Sequence, residues 1–133
     1  MVDALREAHR VLAASGVLID VRPLIEPIVV EVVSGNRALW SESLALYSTP
    51  EDILAADAAM KHAFSHDWFN FKASLTFSFD IYCDTADDLK SYADGRKLVG
   101  AEIPYAEVEE RRRKSGARLR CRRPWMLTTY RKI

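Results

Sequence analysis

The chain has 133 residues, of which 49% are hydrophobic and 29% are charged, a balance typical of one globular domain rather than of a disordered or fibrous chain. No apolar run reaches the roughly 18 to 20 residues of a membrane span, and the first residues lack the apolar core of a signal peptide. Two cysteines are too few for a disulfide framework. We therefore expect a cytoplasmic protein without a membrane partner.

Charges are unevenly distributed along the chain, although the formal net charge is zero. Residues 96–133 hold twelve Lys/Arg and four Asp/Glu, a net charge of +8, whereas residues 1–95 hold seven and fifteen, a net charge of −8. This asymmetry indicates either an acidic partner for the C-terminal tail or two parts of the chain that attract each other.

The N-terminal segment predicts a helix followed by a strand. An apolar stripe over 2–14 predicts an amphipathic helix, and Gly16 occupies its C-cap position. The apolar run 17–23, stopped by Pro23, is typical of a strand that is buried on both faces. Helix, glycine turn and strand together predict one step of a parallel α/β sheet.

The rest of the chain alternates strand and helix signals without an internal repeat. The pattern predicts a β-hairpin over 28–44 around a Gly35-Asn36 turn, and a helix from 50 to about 65 that Thr49 caps. Further elements follow toward the C-terminus: a strand over 71–83, a helix that Thr85 and Asp88 cap and that ends near Gly95, a helix over 105–114 and a strand over 117–131.

A family resemblance is carried by residues 5–20, which read LREAHRVLAASGVLID. This segment resembles the EAxRVLxPGGxLxxxxP stretch of class I S-adenosylmethionine-dependent methyltransferases, with Ala14-Ser15 in place of the usual Pro-Gly. The resemblance implies that 17–23 corresponds to the fifth strand of that family, 71–83 to the sixth and 117–131 to the antiparallel seventh. The hairpin and helix within 24–70 then take the place of an inserted substrate cap.

The fold expected on this basis is α/β, or α+β in the isolated chain: one domain over 1–133 with a partial Rossmann-like methyltransferase sheet. The family binds its cofactor with a glycine-rich loop, but the five glycines here, at positions 16, 35, 95, 100 and 116, include no two closer than five residues apart. The chain thus resembles a C-terminal half without cofactor-binding residues. We expect it to be inactive alone and to use S-adenosylmethionine only where a cofactor half is supplied.

Two explanations of the missing half stay open, a fragment of a longer protein and a free-standing remnant. In the family's sheet the fourth strand lies beside the fifth, so its absence leaves residues 17–21, from Val17 to Val21, as an apolar edge. This edge predicts either a homodimer that pairs through the strand or association with a separate N-terminal half. A non-catalytic interaction module is therefore the alternative function. A small-molecule-binding α+β domain, with the aromatic residues of 28–71 as its pocket, is a third.

Candidate substrate-binding residues come from two places in the sequence. Arg22 follows the predicted strand 17–23 closely enough to lie at the carboxyl edge of the sheet, where ligands of α/β proteins collect. It is interpreted as a clamp for a substrate carboxylate, or else as a cation paired with Glu26 or Asp20. The second place is a run of polar and aromatic residues, namely His66, Asp67, Trp68 and Phe69. These residues are interpreted as the lining of a substrate mouth, or else as packing between the helix and the sheet.

Three arginines alternate along the last predicted strand and therefore share one face of the sheet: Arg118, Arg120 and Arg122. Three guanidinium groups on one face require acidic neighbours or an anionic partner, and Asp80 on the strand 71–83 is one acidic candidate. The sequence contains no nucleic-acid recognition motif, so we do not expect this face to bind nucleic acid.

The remaining titratable candidates receive structural interpretations. His62 and His66 have the spacing of a helical metal pair, but no glutamate follows His62 and no third ligand is evident, so no metal site is predicted. Cys83 and Cys121 lie on strands that can be neighbours, and without a C-x-x-C context they are interpreted as buried free thiols. The catalytic residues stay unassigned.

Overall fold

A computed structural model describes residues 1–44, 46–47, 50–96, 98–100 and 102–133. The helices are α1 (Val2–Val11), α2 (Pro50–Ser65), α3 (Ala86–Gly95) and α4 (Tyr105–Ser115). The strands are β1 (Val17–Pro23), β2 (Ile28–Ser34), β3 (Arg37–Leu44), β4 (Leu46–Tyr47), β5 (Phe69–Cys83), β6 (Val99–Gly100) and β7 (Arg118–Lys132).

Strand β7 is the common neighbour of β1, β2 and β5. It pairs with β1 over residues 125–131 and with β2 over 118–122, both antiparallel, while β2 also pairs with β3. Strand β5 pairs with β7 as well, and these five strands form one sheet, whereas β4 and β6 form a separate pair. The mixed α/β class is as predicted.

The expected parallel sheet is wrong for the described part of the chain, where each pairing with a defined register is antiparallel. The expectation rested on β1 having a parallel neighbour, but its neighbour is β7, which comes from the C-terminus. Strand β1 is also not buried on both faces, since its residues alternate between exposed and half-buried positions. One face of β1 is therefore uncovered.

The chain divides into two compact units. The first unit comprises Met1–Leu24, Pro50–Phe77 and Trp125–Ile133. Its core contains Met60, Ala63, Phe69 and Tyr130, with half-buried side chains of α1 and β1 packed against them. Helices α1 and α2 contact each other, and together they cover the side of β1 on which Leu18 lies.

The second unit comprises Ile25–Thr49 and Ser78–Pro124, so the predicted insertion 24–70 is divided between the two units. Its core joins the apolar residues of β2 and β7 to one face of α3 and to Val108 of α4. Glu109 links the two helices, because its carboxylate accepts the N–H of Ala86 at 2.9 Å and two hydrogen bonds from Arg112. These hydrogen bonds, from Arg112 first and then from Ala86, lower the pKa of Glu109 to about 2.

Local signals place most element boundaries well. The hairpin turns at Gly35 with φ +60°, α3 begins with the capping box of Thr85 and Asp88, and α4 ends at Ser115, one residue beyond the predicted end. These predictions are confirmed, whereas the cap predicted at Thr49 lies outside the described residues.

Helix α1 is shorter than predicted. It ends at Val11 rather than 14, Leu12 is its C-cap, and the left-handed residue in the following turn is Ser15. The prediction that Gly16 caps the helix is therefore wrong. Glycine at this position serves a close approach instead, because a Cβ atom there would lie 2.9 Å from the carbonyl oxygen of Ala13. Within the described residues, no helix is long and apolar enough to cross a membrane.

We predict that Gly16→Ala lowers the free energy of unfolding by about 1 to 3 kcal/mol, because backbone must shift to accommodate the added methyl group. Gly95→Ala is the matched control: the same methyl group meets no atom within 4 Å at the end of α3, and alanine is the better helix former by up to about 1 kcal/mol. Urea denaturation of both variants tests this difference. Equal stabilities of the two would contradict the close approach at Gly16.

Candidate functional site

The carboxyl end of β1 carries a cluster of one cation and two anions. The Arg22 guanidinium donates to Asp20 at 2.7 Å and to Asp57 of α2 at 2.7 Å. Burial alone lowers the pKa of Arg22, but the charges and hydrogen bonds of the two carboxylates outweigh burial and raise it. Arg22 is therefore a fixed charge, and we call Asp20, Arg22 and Asp57 the Arg22 cluster.

The ion pair of Arg22 with Asp20, one of the two partners considered from the sequence, is confirmed. Asp57 is an additional partner that comes from helix α2. Because both terminal nitrogens of Arg22 bind carboxylates of its own chain, a substrate carboxylate would have to displace one of them. The Arg22 Nε atom is buried and has no hydrogen-bond partner among the described residues.

A second cluster surrounds the half-buried indole of Trp68. The rings of His9, His62 and His66 lie 6.1, 5.6 and 5.7 Å from the Trp68 ring, centroid to centroid. All three histidines of the chain thus meet at one tryptophan. Phe69 is buried beside it and contacts His9 edge to face, with centroids 5.6 Å apart. We call these five residues the Trp68 cluster.

The turn after α2 positions the Trp68 cluster. Asp67 adopts a left-handed conformation with φ 55°, and the N–H of Trp68 donates to the carbonyl of Ala63 at 3.0 Å. The chain therefore reverses directly into β5, so that Trp68 and Phe69 meet the histidines while Asp67 stays exposed. His66 Nδ1 lies 2.9 Å from the carbonyl oxygen of His62. The described residues contain no group of three metal-ligating side chains.

The structure brings His66, Trp68 and Phe69 together but separates them from Arg22. Arg22 lies opposite Met126 of β7, whereas Trp68 accepts a hydrogen bond from the N–H of Ile133. Residues 126 and 133 are seven positions apart, which corresponds to about 23 Å along an extended chain and separates Arg22 from Trp68 by about that distance. Ligands of α/β proteins collect at the carboxyl ends of strands, which here is the end that holds the Arg22 cluster. His9 was missed from the sequence, although it shares a helical stripe with Leu5 and Leu12.

Each arginine of the face Arg118, Arg120 and Arg122 has a carboxylate partner in the second unit. The partners are Asp84 at 3.0 Å, Glu31 at 2.6 Å and Asp80 at 3.1 Å, respectively. The prediction that Asp80 supplies one carboxylate is confirmed. Glu31 was missed, although it is the one acidic residue in the apolar run 28–33, and this position signals a buried cationic partner.

These pairs account for part of the charge asymmetry of the sequence. The basic tail is attracted to acidic residues of the preceding segment, which was one of the two interpretations. Arg120 and Glu31 are both about nine-tenths buried, and the hydrogen bonds that Arg120 makes to Glu31 and then to Tyr82 raise the pKa of its guanidinium. Only Arg118 and Arg122 are exposed enough to meet an external anion.

A surface pocket of about 280 Å³ adjoins this face. Its lining includes Gly35, Tyr82, Gly116 and Arg118, and the Arg118 guanidinium lies 5.3 Å from the centre of the Tyr82 ring. Because Arg118 already pairs with Asp84, the pocket offers an aromatic wall and a compensated charge.

The two cysteines are buried free thiols in the second unit. Burial, followed by the charge of Cys83, raises the pKa of Cys121 to about 12. Burial also raises the pKa of Cys83. Since the thiolate is the nucleophile, neither environment favours cysteine chemistry.

No protein-family model, curated protein or solved structure matches the chain.

We predict that Arg120→Met lowers the free energy of unfolding by about 3 kcal/mol or more, because it leaves the Glu31 carboxylate buried without its cation. Asp84→Asn, which breaks the exposed pair with Arg118, is the control and costs less than about 1 kcal/mol. Urea denaturation measures both. The double variant Arg120→Met with Glu31→Leu should recover much of the loss, and an Arg120→Met variant as stable as Asp84→Asn would contradict this account.

Proposed function

We propose that the chain forms the C-terminal, substrate-side part of a methyltransferase-like protein and has no cofactor site of its own. The observation that carries the proposal is the arrangement of strands around β7. Strand β1, preceded by helix α1, runs antiparallel to β7. Ser74 of β5 meets Thr128 through their hydroxyls at 3.1 Å, and Asp80 meets Arg122, which makes β5 antiparallel to β7 as well.

This arrangement agrees with the resemblance found in the sequence. If β1, β5 and β7 correspond to the fifth, sixth and seventh strands, the first two must run in one direction and the seventh against them. Two antiparallel pairings with β7 give β1 and β5 the same direction. Strand direction is a property that the motif in residues 5–20 does not itself dictate, so it supports the proposal independently.

On this proposal the Arg22 cluster is the substrate side. It lies at the carboxyl end of β1 and holds a permanent cation between two carboxylates, an arrangement that orients a polar substrate. Methyl transfer depends mainly on positioning the methyl donor in line with the acceptor atom, in a site that excludes water. The chain would supply that positioning, and a separate half would supply S-adenosylmethionine.

A second candidate function, a non-catalytic interaction module, is favoured by the position of β1 in the sheet. Among the described strands β1 pairs with β7 alone, so its other edge is free. Unpaired N–H and C=O groups along an apolar edge can form hydrogen bonds with a strand of a second chain. A homodimer that pairs through Val17–Val21 uses that edge.

We expect no saturable heat when S-adenosylmethionine or S-adenosylhomocysteine is titrated calorimetrically into the 133-residue protein up to millimolar ligand. The reason is that the sequence contains no closely spaced glycines with which to approach the cofactor. The same titration into the protein co-expressed with the polypeptide encoded directly upstream in its genome should show micromolar binding.

Two results would contradict this proposal. Micromolar binding by the 133-residue protein would mean that it has its own cofactor site. An upstream region that encodes no glycine-rich loop, combined with concentration-dependent dimerisation of this chain, would favour the interaction module instead.

A further inference from the structure

In the first unit, one side of β1 and β7 is an uncovered apolar surface. Val17, Ile19 and Val21 of β1 are 49%, 59% and 45% exposed. In the antiparallel register Val17 lies opposite Arg131 and Val21 lies opposite Leu127, so these residues share one side. Leu75 of β5, which is 53% exposed, joins the same side. We call these six residues the outer face.

Leu75 is assigned to the outer face through its neighbour. The side chains of Ser74 and Thr128 are hydrogen-bonded, and Thr128 lies opposite Asp20, whose partner Arg22 reaches helix α2. Ser74 therefore faces the helices and Leu75 faces away from them. The other side of these strands is covered by α1 and α2, which bury Tyr130 and pack against Leu18.

The exposed apolar area of the outer face is on the order of 400 Å², the size of the largest apolar patch on a typical monomer, and such a patch is often functional. Pairing of another strand with the edge of β1 would extend this surface sideways without covering it. A layer placed on top of the strands is needed to remove it from water.

Arg131 indicates which charge the covering layer carries. It is an exposed guanidinium at the end of the outer face beside Val17, and it makes no hydrogen bond or ion pair with the described residues. The outer face contains no carboxylate, so a second copy packed face to face would offer Arg131 no anion there. A carboxylate on the covering layer would satisfy it.

We propose that the outer face binds an amphipathic α-helix of a partner polypeptide, with an apolar stripe on Val17, Ile19, Val21 and Leu75 and a carboxylate on Arg131. The seven residues of β1 span about 23 Å, which a helix of about 16 residues matches. This inference rests on the proposed function in one respect: it identifies the chemistry by which a separate half would dock.

The test uses two synthetic 16-residue amphipathic helical peptides that share a Leu/Ala stripe and differ at one terminal position, glutamate in one and lysine in the other. Fluorescence anisotropy measures their binding to the 133-residue protein. The glutamate peptide should bind at least about fivefold tighter than the lysine peptide, and Arg131→Glu should reverse this preference. Ile19→Asp should weaken both peptides about tenfold or more.

Lys61→Glu is the matched control, because it makes the same change of charge at an exposed position of α2, on the covered side of the sheet. It should leave the preference for the glutamate peptide unchanged. Equal binding of the two peptides, no binding of either, or a dimer in sedimentation velocity that Ile19→Asp dissociates would each overturn the proposal. None of these results depends on S-adenosylmethionine, so they are distinct from a failure of the proposed function.

Discussion

Strand β7 makes backbone hydrogen bonds on both of its edges, and β1, β2 and β5 depend on it for their place in the sheet. Strands β1 and β5 have no other partner among the described strands, and β2 joins the sheet through residues 118–122. Both compact units draw on β7, one through Trp125–Ile133 and the other through the segment that ends at Pro124. Strand β1 pairs with β7 across more than a hundred residues of sequence, and such distant pairings slow folding.

Strand β7 also determines which side chains of β1 are covered by the helices and which are exposed to water. In the first unit it aligns β1 so that Leu18, Asp20 and Arg22 face the helices while Val17, Ile19 and Val21 face water. The Arg22 cluster is held by its own carboxylates, which makes it a rigid polar end rather than a vacant clamp. In the proposed function, the Arg22 cluster and the uncovered face of β1 belong to one part of a larger assembly.

Elements with local signals could be predicted from the sequence, whereas their neighbours could not. The hairpin at Gly35 and the capping box at Thr85 are each determined by residues that lie within a few positions of one another in the sequence. The antiparallel partner of β1 lies more than a hundred residues away, and no local pattern specifies strand direction. For the same reason Asp57 and Glu31 were missed as arginine partners, and Arg22 was grouped with Trp68 although the two lie at opposite ends of the first unit's strands.

Amide hydrogen exchange resolved by residue tests the central position of β7 most directly. The account predicts slow exchange at consecutive amides over 125–131, because both edges of β7 are paired there, and alternating slow and fast exchange along β1 and β5, because each is paired on one edge. Continuous protection along β1 or β5, or alternation along β7, would show that β7 is not the shared neighbour and would contradict the account.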